Sequence, residues 1–297
     1  MNFRYLTHIF CTLFFVTSLT MMTSCDKTDD EDIPSYISID SISLNSQYQQ
    51  GTSSHKITDA WVYVNNKLIG AFELPDTIPV LASGPSKVVI YPGVRMNGVA
   101  STRIPYPFYN FITYNPVNLV REKVYPLGKI TATYNSETVV AWNEDFESNN
   151  FSIDTTQNTD VKLIRTNDED KVFKYPDETS HYSALAEFTG DSTVFESVSH
   201  SSFELPQDGT AVFLELNYKT NTPLTIGVYG RTATYTEQQA VFVLNPNTAW
   251  NKIYINLTPT VTYLSACYDF RIYFKAMKSE DIDQAEILLD NIKLLHF

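Results

Sequence analysis

The sequence predicts an all-β protein, with two β-sandwich domains following a short leader and an acidic tether. Three observations carry this expectation. The 297 residues include 19 Tyr and 18 Phe but only 10 Gly, and aromatic and β-branched residues suit pleated, half-buried strands. Apolar and polar residues alternate over short runs bounded by Asn, Pro, Gly or Thr, which is the period-2 strand signature. No stretch combines a 3.6-residue apolar period with caps at its ends. The length corresponds to about two domains.

Residues 1–24 hold Arg4, then the apolar run Ile9 to Met22 broken by Thr and Ser. That is a basic start, a short apolar middle and small residues at a cut, the order of an export signal. The run is too short and too polar to span a bilayer comfortably. Met22-Thr23-Ser24-Cys25 resembles the lipobox of bacterial lipoproteins. The resemblance implies cleavage before Cys25 and acylation of its sulfur, so that membrane attachment rests on two or more acyl chains. The remaining chain would carry 20 Lys and Arg against 34 Asp and Glu, a net −14. Residues 25–35 place five acids between Asp26 and Asp32, a solvated tether on composition. This stretch also resembles the acidic export signal of surface-displayed lipoproteins of Bacteroidota. The implied location is the outer membrane, facing the exterior.

The first sandwich is expected over residues 36–140. Tyr36 to Leu44 alternates apolar and polar residues, as a half-buried strand does. Ala60 to Val64 and Lys67 to Phe72 flank Asn65-Asn66, a hairpin signal. Further strands are expected at Lys87–Tyr91, Phe111–Tyr114, Leu119–Val124 and Lys129–Tyr134. The stretch Asp59 to Gly98 is similar to small immunoglobulin-like, PEGA-like and carboxypeptidase-regulatory-like surface domains, which implies presentation rather than catalysis.

The second sandwich is expected over residues 141–297, with strands at Ala211–Tyr218, Leu224–Tyr229, Ala240–Leu244, Lys252–Leu257 and Phe270–Ala276. Asp145-Phe146-Glu147 near its start, Leu289-Asp290-Asn291-Ile292 near its end and Trp250-x-x-Ile-x-Ile-x-Leu257 between them resemble the galactose-binding-like jelly roll of carbohydrate-binding modules. That resemblance implies that the first and last strands lie side by side and that the Trp250 segment is a middle strand. It further implies a structural calcium on Glu147 and Asp290, since hard cations take carboxylate and carbonyl oxygens. The alternative is a solvated Glu147 and a turn-capping Asp290.

A glycan is the ligand class this implies. Sugar C–H faces stack on aromatic rings, and the candidates are Tyr182, Tyr229, Tyr235 and Tyr268, with Arg231 and Gln238 as polar partners. Trp61, Trp142 and Trp250 sit in apolar strand contexts and are expected in the cores. Ser101 to Pro116 holds three prolines and five aromatics, to be read as packing first and as a contact surface for an outer-membrane protein partner second.

Several classes are disfavoured. A net charge of −13 with Lys and Arg scattered singly argues against nucleic acid and against a basic lipid-binding surface. Three cysteines (Cys11, Cys25, Cys267) build no disulfide framework. Five dispersed histidines, no H-E-x-x-H, no G-x-S-x-G and no glycine-rich phosphate loop leave no catalytic candidates. Asn167 to Asp170 reads as a solvated turn.

Overall fold

The computed structural model describes residues 33–176, 180–279 and 282–297. The leader, Cys25 and the run Asp26 to Asp32 lie outside these. Among the described residues the fold is all-β, with one short helix and a single 3-10 turn at Tyr48–Gln50.

The first sandwich pairs two sheets. One contains β4 (Asp76–Val80), β1 (Ser35–Asn45) and β8 (Val124–Thr133) in that order. The other runs β3 (Lys67–Glu73), β2 (Asp59–Val64), β5 (Gly84–Arg95), with β6 (Arg103–Pro105) and β7 (Ile112–Leu119) both paired to β5. Alternation places Ile37, Ile39, Val62, Val64, Val88 and Ile90 in the shared core. Along β1 the pairing with β8 shifts between Ile39 and Ser41, so Ile42 also turns inward. The β2–β3 turn has both Asn65 and Asn66 at positive φ, 49° and 66°. Asparagine tolerates that conformation, and it matches the twist of a two-residue hairpin.

The second sandwich also has two sheets. The first orders β11 (Leu163–Thr166), β12 (Ser183–Glu187), β19 (Glu286–His296), β14 (Val212–Thr220) and β17 (Asn247–Asn256), with β9 (Val139–Glu144) beside the end of β19. The second orders β10 (Ile153–Thr155), β13 (Val194–Ser199), β18 (Asp269–Met277), β15 (Leu224–Arg231) and β16 (Thr236–Leu244). The helix α1 (Thr258–Tyr263) follows β17. A large core of Phe146, Phe195, Leu214, Ile226, Phe270, Phe274 and Leu294 fills the space between them. The first and last strands of this unit do lie side by side, with Trp142 opposite Leu294.

Three expectations need correction. The strand expected at Leu119–Val124 is a turn, since β7 ends at Leu119 and β8 begins at Val124. The Trp250 strand is an edge strand that pairs only with β14, because the chain crosses from it through α1 into the opposite sheet. Its free edge is covered by Met96 and Asn97, whose N–H donates to Tyr254 O at 2.8 Å. Of the three tryptophans only Trp142 is buried, and Trp61 and Trp250 are half-buried.

A third core joins the sandwiches. Tyr106 and Phe108 from the aromatic-proline tract pack edge-on against Phe213 of the second sandwich, Tyr106 also against Tyr254, and the Tyr109 hydroxyl lies 3.3 Å from that of Tyr254. Tyr106 and Tyr134 both donate to Glu215, which also pairs with Lys252 at 3.1 Å. Ser54 donates to Asn217 and Thr52 to Asn291. Gly51 sits at φ 72°, where a Cβ would collide with the side chains of Asn143 and Lys293. Only glycine lets the connecting loop approach this closely. The packing reading of the tract therefore holds for Tyr106, Phe108 and Tyr109, while Phe111 remains 56% exposed.

Candidate functional site

The junction covers the outer face of the β14–β19 sheet. The outer face of the opposite sheet is open. There, alternation along β15 sends Ile226 and Val228 into the core and leaves Tyr229 and Arg231 facing out. On β18 it buries Phe270, Ile272 and Phe274 and turns out Asp269, Arg271, Tyr273 and Lys275. On β13 the outward residues include Glu196 and Val198.

These strands form a groove of about 440 Å³ lined by Thr156, Asn158, Glu196, Tyr229, Arg231 and Arg271 among others. That size is in the range of small-ligand sites. Its floor is built around Glu196, which is fully buried yet charged. Oε1 accepts from the Tyr229 hydroxyl at 2.9 Å, Thr156 Oγ1 at 3.0 Å and Asn158 Nδ2 at 3.1 Å. Lys275 Nζ lies 2.9 Å from Oε2. Burial alone would raise the carboxyl's pKa, but the hydrogen bonds from Lys275, Asn158, Tyr229 and Thr156 outweigh it and hold it at about 2. Burial and the bond to that carboxylate push the Tyr229 hydroxyl upward, so it stays protonated as a donor. Tyr229 is fixed in turn against Tyr273, ring centroids 5.0 Å apart.

The charged side chains of the lining come in opposite pairs. Arg231 grips Asp269 through both Nε and Nη2. Arg271 Nη2 donates to Asp154 Oδ2 at 2.7 Å, and His200 meets the other oxygen at 2.9 Å. Hydrogen bonds from His200 and Arg271 hold the Asp154 carboxyl below its usual range despite partial burial. Paired in this way, the guanidinium and carboxylate edges offer planar donors and acceptors with little net charge.

Two of the six expected ligand residues line this groove, and three more lie on the strands and turns around it. Tyr229 and Arg231 line the groove, and Tyr268 lies under the Arg231 guanidinium at 4.9 Å. Tyr235 is exposed in the β15–β16 turn, and Gln238 is paired with Tyr229 across the strands. Tyr182 is elsewhere, beneath Arg165 at 3.7 Å on the β11–β12 side. The sequence reading missed Glu196, Asp269 and Arg271. For Asp269 and Arg271 the signal was present as polar residues two apart, alternating with apolar Phe270 and Ile272, whereas Glu196, between Phe195 and Ser197, carries no such local mark.

Glu147 and Asp290 occupy the far side of the same sandwich. Glu147 Oε1 accepts from the N–H groups of His181 and Tyr182 at 2.8 and 3.0 Å. Asp290 is fully buried and accepts from Ser183 Oγ and the Asn291 N–H. Burial raises its pKa well above the ordinary value, and the charges of Glu147 and Asp145 add to this. A small cavity of about 110 Å³ beside them is lined by Thr52, Asp145, Glu147, Ser180 and Asn291. The lining mixes these oxygens with the rings of Phe173 and Tyr175, and among the described residues no three His, Cys, Asp or Glu side chains converge on one point. Cys267 is buried and free.

No family model matches the chain, and no curated protein matches it. Solved structures do resemble it. One is a family 61 carbohydrate-binding module in complex with β-1,4-galactotriose, 12% identical, covering 54% of this chain and 99% of its own, TM-score 0.34. Another is the family 11 carbohydrate-binding module of a cellulosomal cellulase of Clostridium thermocellum, 13% identical, 54% of this chain and 97% of its own, TM-score 0.35. A third is the cleaved K3 adhesin domain of Lys-gingipain from Porphyromonas gingivalis, 15% identical, 52% and 98%, TM-score 0.34.

Proposed function

We propose that the protein is a non-catalytic binding protein, lipid-anchored at Cys25 on the outer membrane and facing outward, that takes a glycan in the groove of its second sandwich. The observation that carries this reading is the groove's lining. Arg231–Asp269 and Arg271–Asp154 are paired charges whose free edges suit hydroxyl pairs, Tyr229 supplies an aromatic face in the groove, and exposed Tyr268, against Arg231, and Tyr235 lie outside its lining. Because each charge is already balanced, a neutral sugar chain fits better than an anionic one. Glu147 and Asp290 are read as a structural cation clamp, remote from the groove.

An array of neutral and acidic glycans probed with the purified protein tests this reading. Retention of neutral oligosaccharides is expected. Retention of none, or only of uronic or sulfated ones, would reject it. For the accessory-subunit reading, Tyr106, Phe108 and Tyr109 are buried within the chain and Phe111 is the large apolar side chain of the tract left exposed.

A further inference from the structure

Topology brings together basic residues that are scattered along the sequence. The first sandwich has one end at the junction, reached by the last residues of β1, β5 and β8. The opposite end is where Ser35 begins β1, paired with Val80. The turn 120–123 lies there, because Glu122 N–H donates to Pro34 O and Tyr36 N–H to Lys123 O. Gly84 pairs with Leu119, and Asn65 bonds the Lys87 backbone at both N and Oδ1. So Lys67, Lys87, Arg121 and Lys123 gather at one end, with Glu122 the one acid of the 120–123 turn, in a chain of net −13. Among the described residues none of the four forms an ion pair. Between them project Leu81 at 69% exposure, Val120 at 49% and Val124 at 51%.

We infer that this end of the first sandwich docks on an anionic membrane surface. Exposed aliphatic tips beside unpaired cations are suited to a lipid interface, where the former enter the headgroup boundary and the latter meet lipid charge. The position agrees. Eight residues separate Cys25 from Ile33, a reach of at most about 30 Å, so an acyl anchor would hold this end at the bilayer. Acids of the body far from this end do not cancel the attraction, since charges beyond about 8 Å are screened at physiological salt, and those at 26–32, next to it in sequence, are addressed by the test below. This corrects the expectation that no basic lipid-facing surface exists. The twelve residues of β5 then stand the groove about 40 Å or more from the bilayer. The inference extends the anchored reading above, and its test is independent of acylation.

The protein beginning at Asp26 carries no acyl site and retains every described residue. It is sedimented with vesicles of phosphatidylcholine alone or with about 30% phosphatidylglycerol. Binding only to the anionic vesicles is expected, weakened by salt. Arg121→Glu with Lys123→Glu is expected to weaken it at least about 25-fold, and Leu81→Ser with Val124→Ser to weaken it as well. No binding to anionic vesicles, or equal binding by the charge-reversed variant, overturns the inference. Binding only after removal of residues 26–32 also overturns it, by assigning this end to the acidic segment. Acyl labelling of Cys25 in cells tests the anchor separately.

Discussion

The Tyr106 hydroxyl donates to Glu215 Oε1 at 2.8 Å, joining a residue of the first sandwich to a buried carboxylate of the second. Tyr134 donates to the same carboxylate and Lys252 balances its charge, so the two sandwiches share one polar centre inside an aromatic core. Glu215→Ala strands the Lys252 cation in that core. The expected loss is about 3–5 kcal/mol of stability, the cost of breaking a buried pair, read from urea unfolding. A loss under about 1 kcal/mol would mean that water reaches the junction.

The aromatic-proline tract divides sharply. Phe108→Ala should cost about 3–5 kcal/mol through the cavity it leaves among Tyr106, Phe213 and Phe297. Phe111→Ala, only five residues from Tyr106 in sequence, should change stability by about 0.5 kcal/mol or less. Equal losses would contradict the division.

Acid should loosen the groove. Glu196 and Asp154 have folded pKa values below their ordinary ones. Such groups stabilise the fold above the unfolded value and lose that contribution as pH falls toward the folded value. For Glu196 the window is between 4.5 and about 2. Urea midpoints should therefore fall on acidification, and fall less in Lys275→Met, where Glu196 has lost its cation. Parallel falls in both proteins would argue against the assignment.

Calcium gives a further test of the Glu147 and Asp290 reading. Binding to the folded state should raise Tm by about 2–4 °C per kcal/mol, and Asp290→Asn should abolish the response. An unchanged Tm in the wild type would leave Asp290 as a buried turn cap.

Much of the fold was legible because alternation and turn chemistry are local. Asn65-Asn66 between two apolar runs specifies a hairpin without any knowledge of the rest. The side-by-side first and last strands of the second sandwich followed from a resemblance at both chain ends. What stayed hidden depends on which strands become neighbours. Asp269 and Arg231 are 38 residues apart, and only the β15–β18 pairing brings them together. Tyr182 looked equivalent to Tyr229 in sequence because both are aromatic and near strands. They belong to opposite sheets. Phe108 and Phe111 likewise share a tract but not a face, since the chain turns back against Tyr134 at Tyr109.

The most direct test of the central claim is calorimetric titration of an array-selected neutral oligosaccharide into four proteins. These are the wild type, Tyr229→Ala, Arg231→Ala and Tyr182→Ala. The groove account predicts that Tyr229→Ala and Arg231→Ala each lose about 10-fold or more in affinity, while Tyr182→Ala binds like the wild type. Loss on Tyr182→Ala with retention in the other two would contradict it and move the site to the opposite sheet.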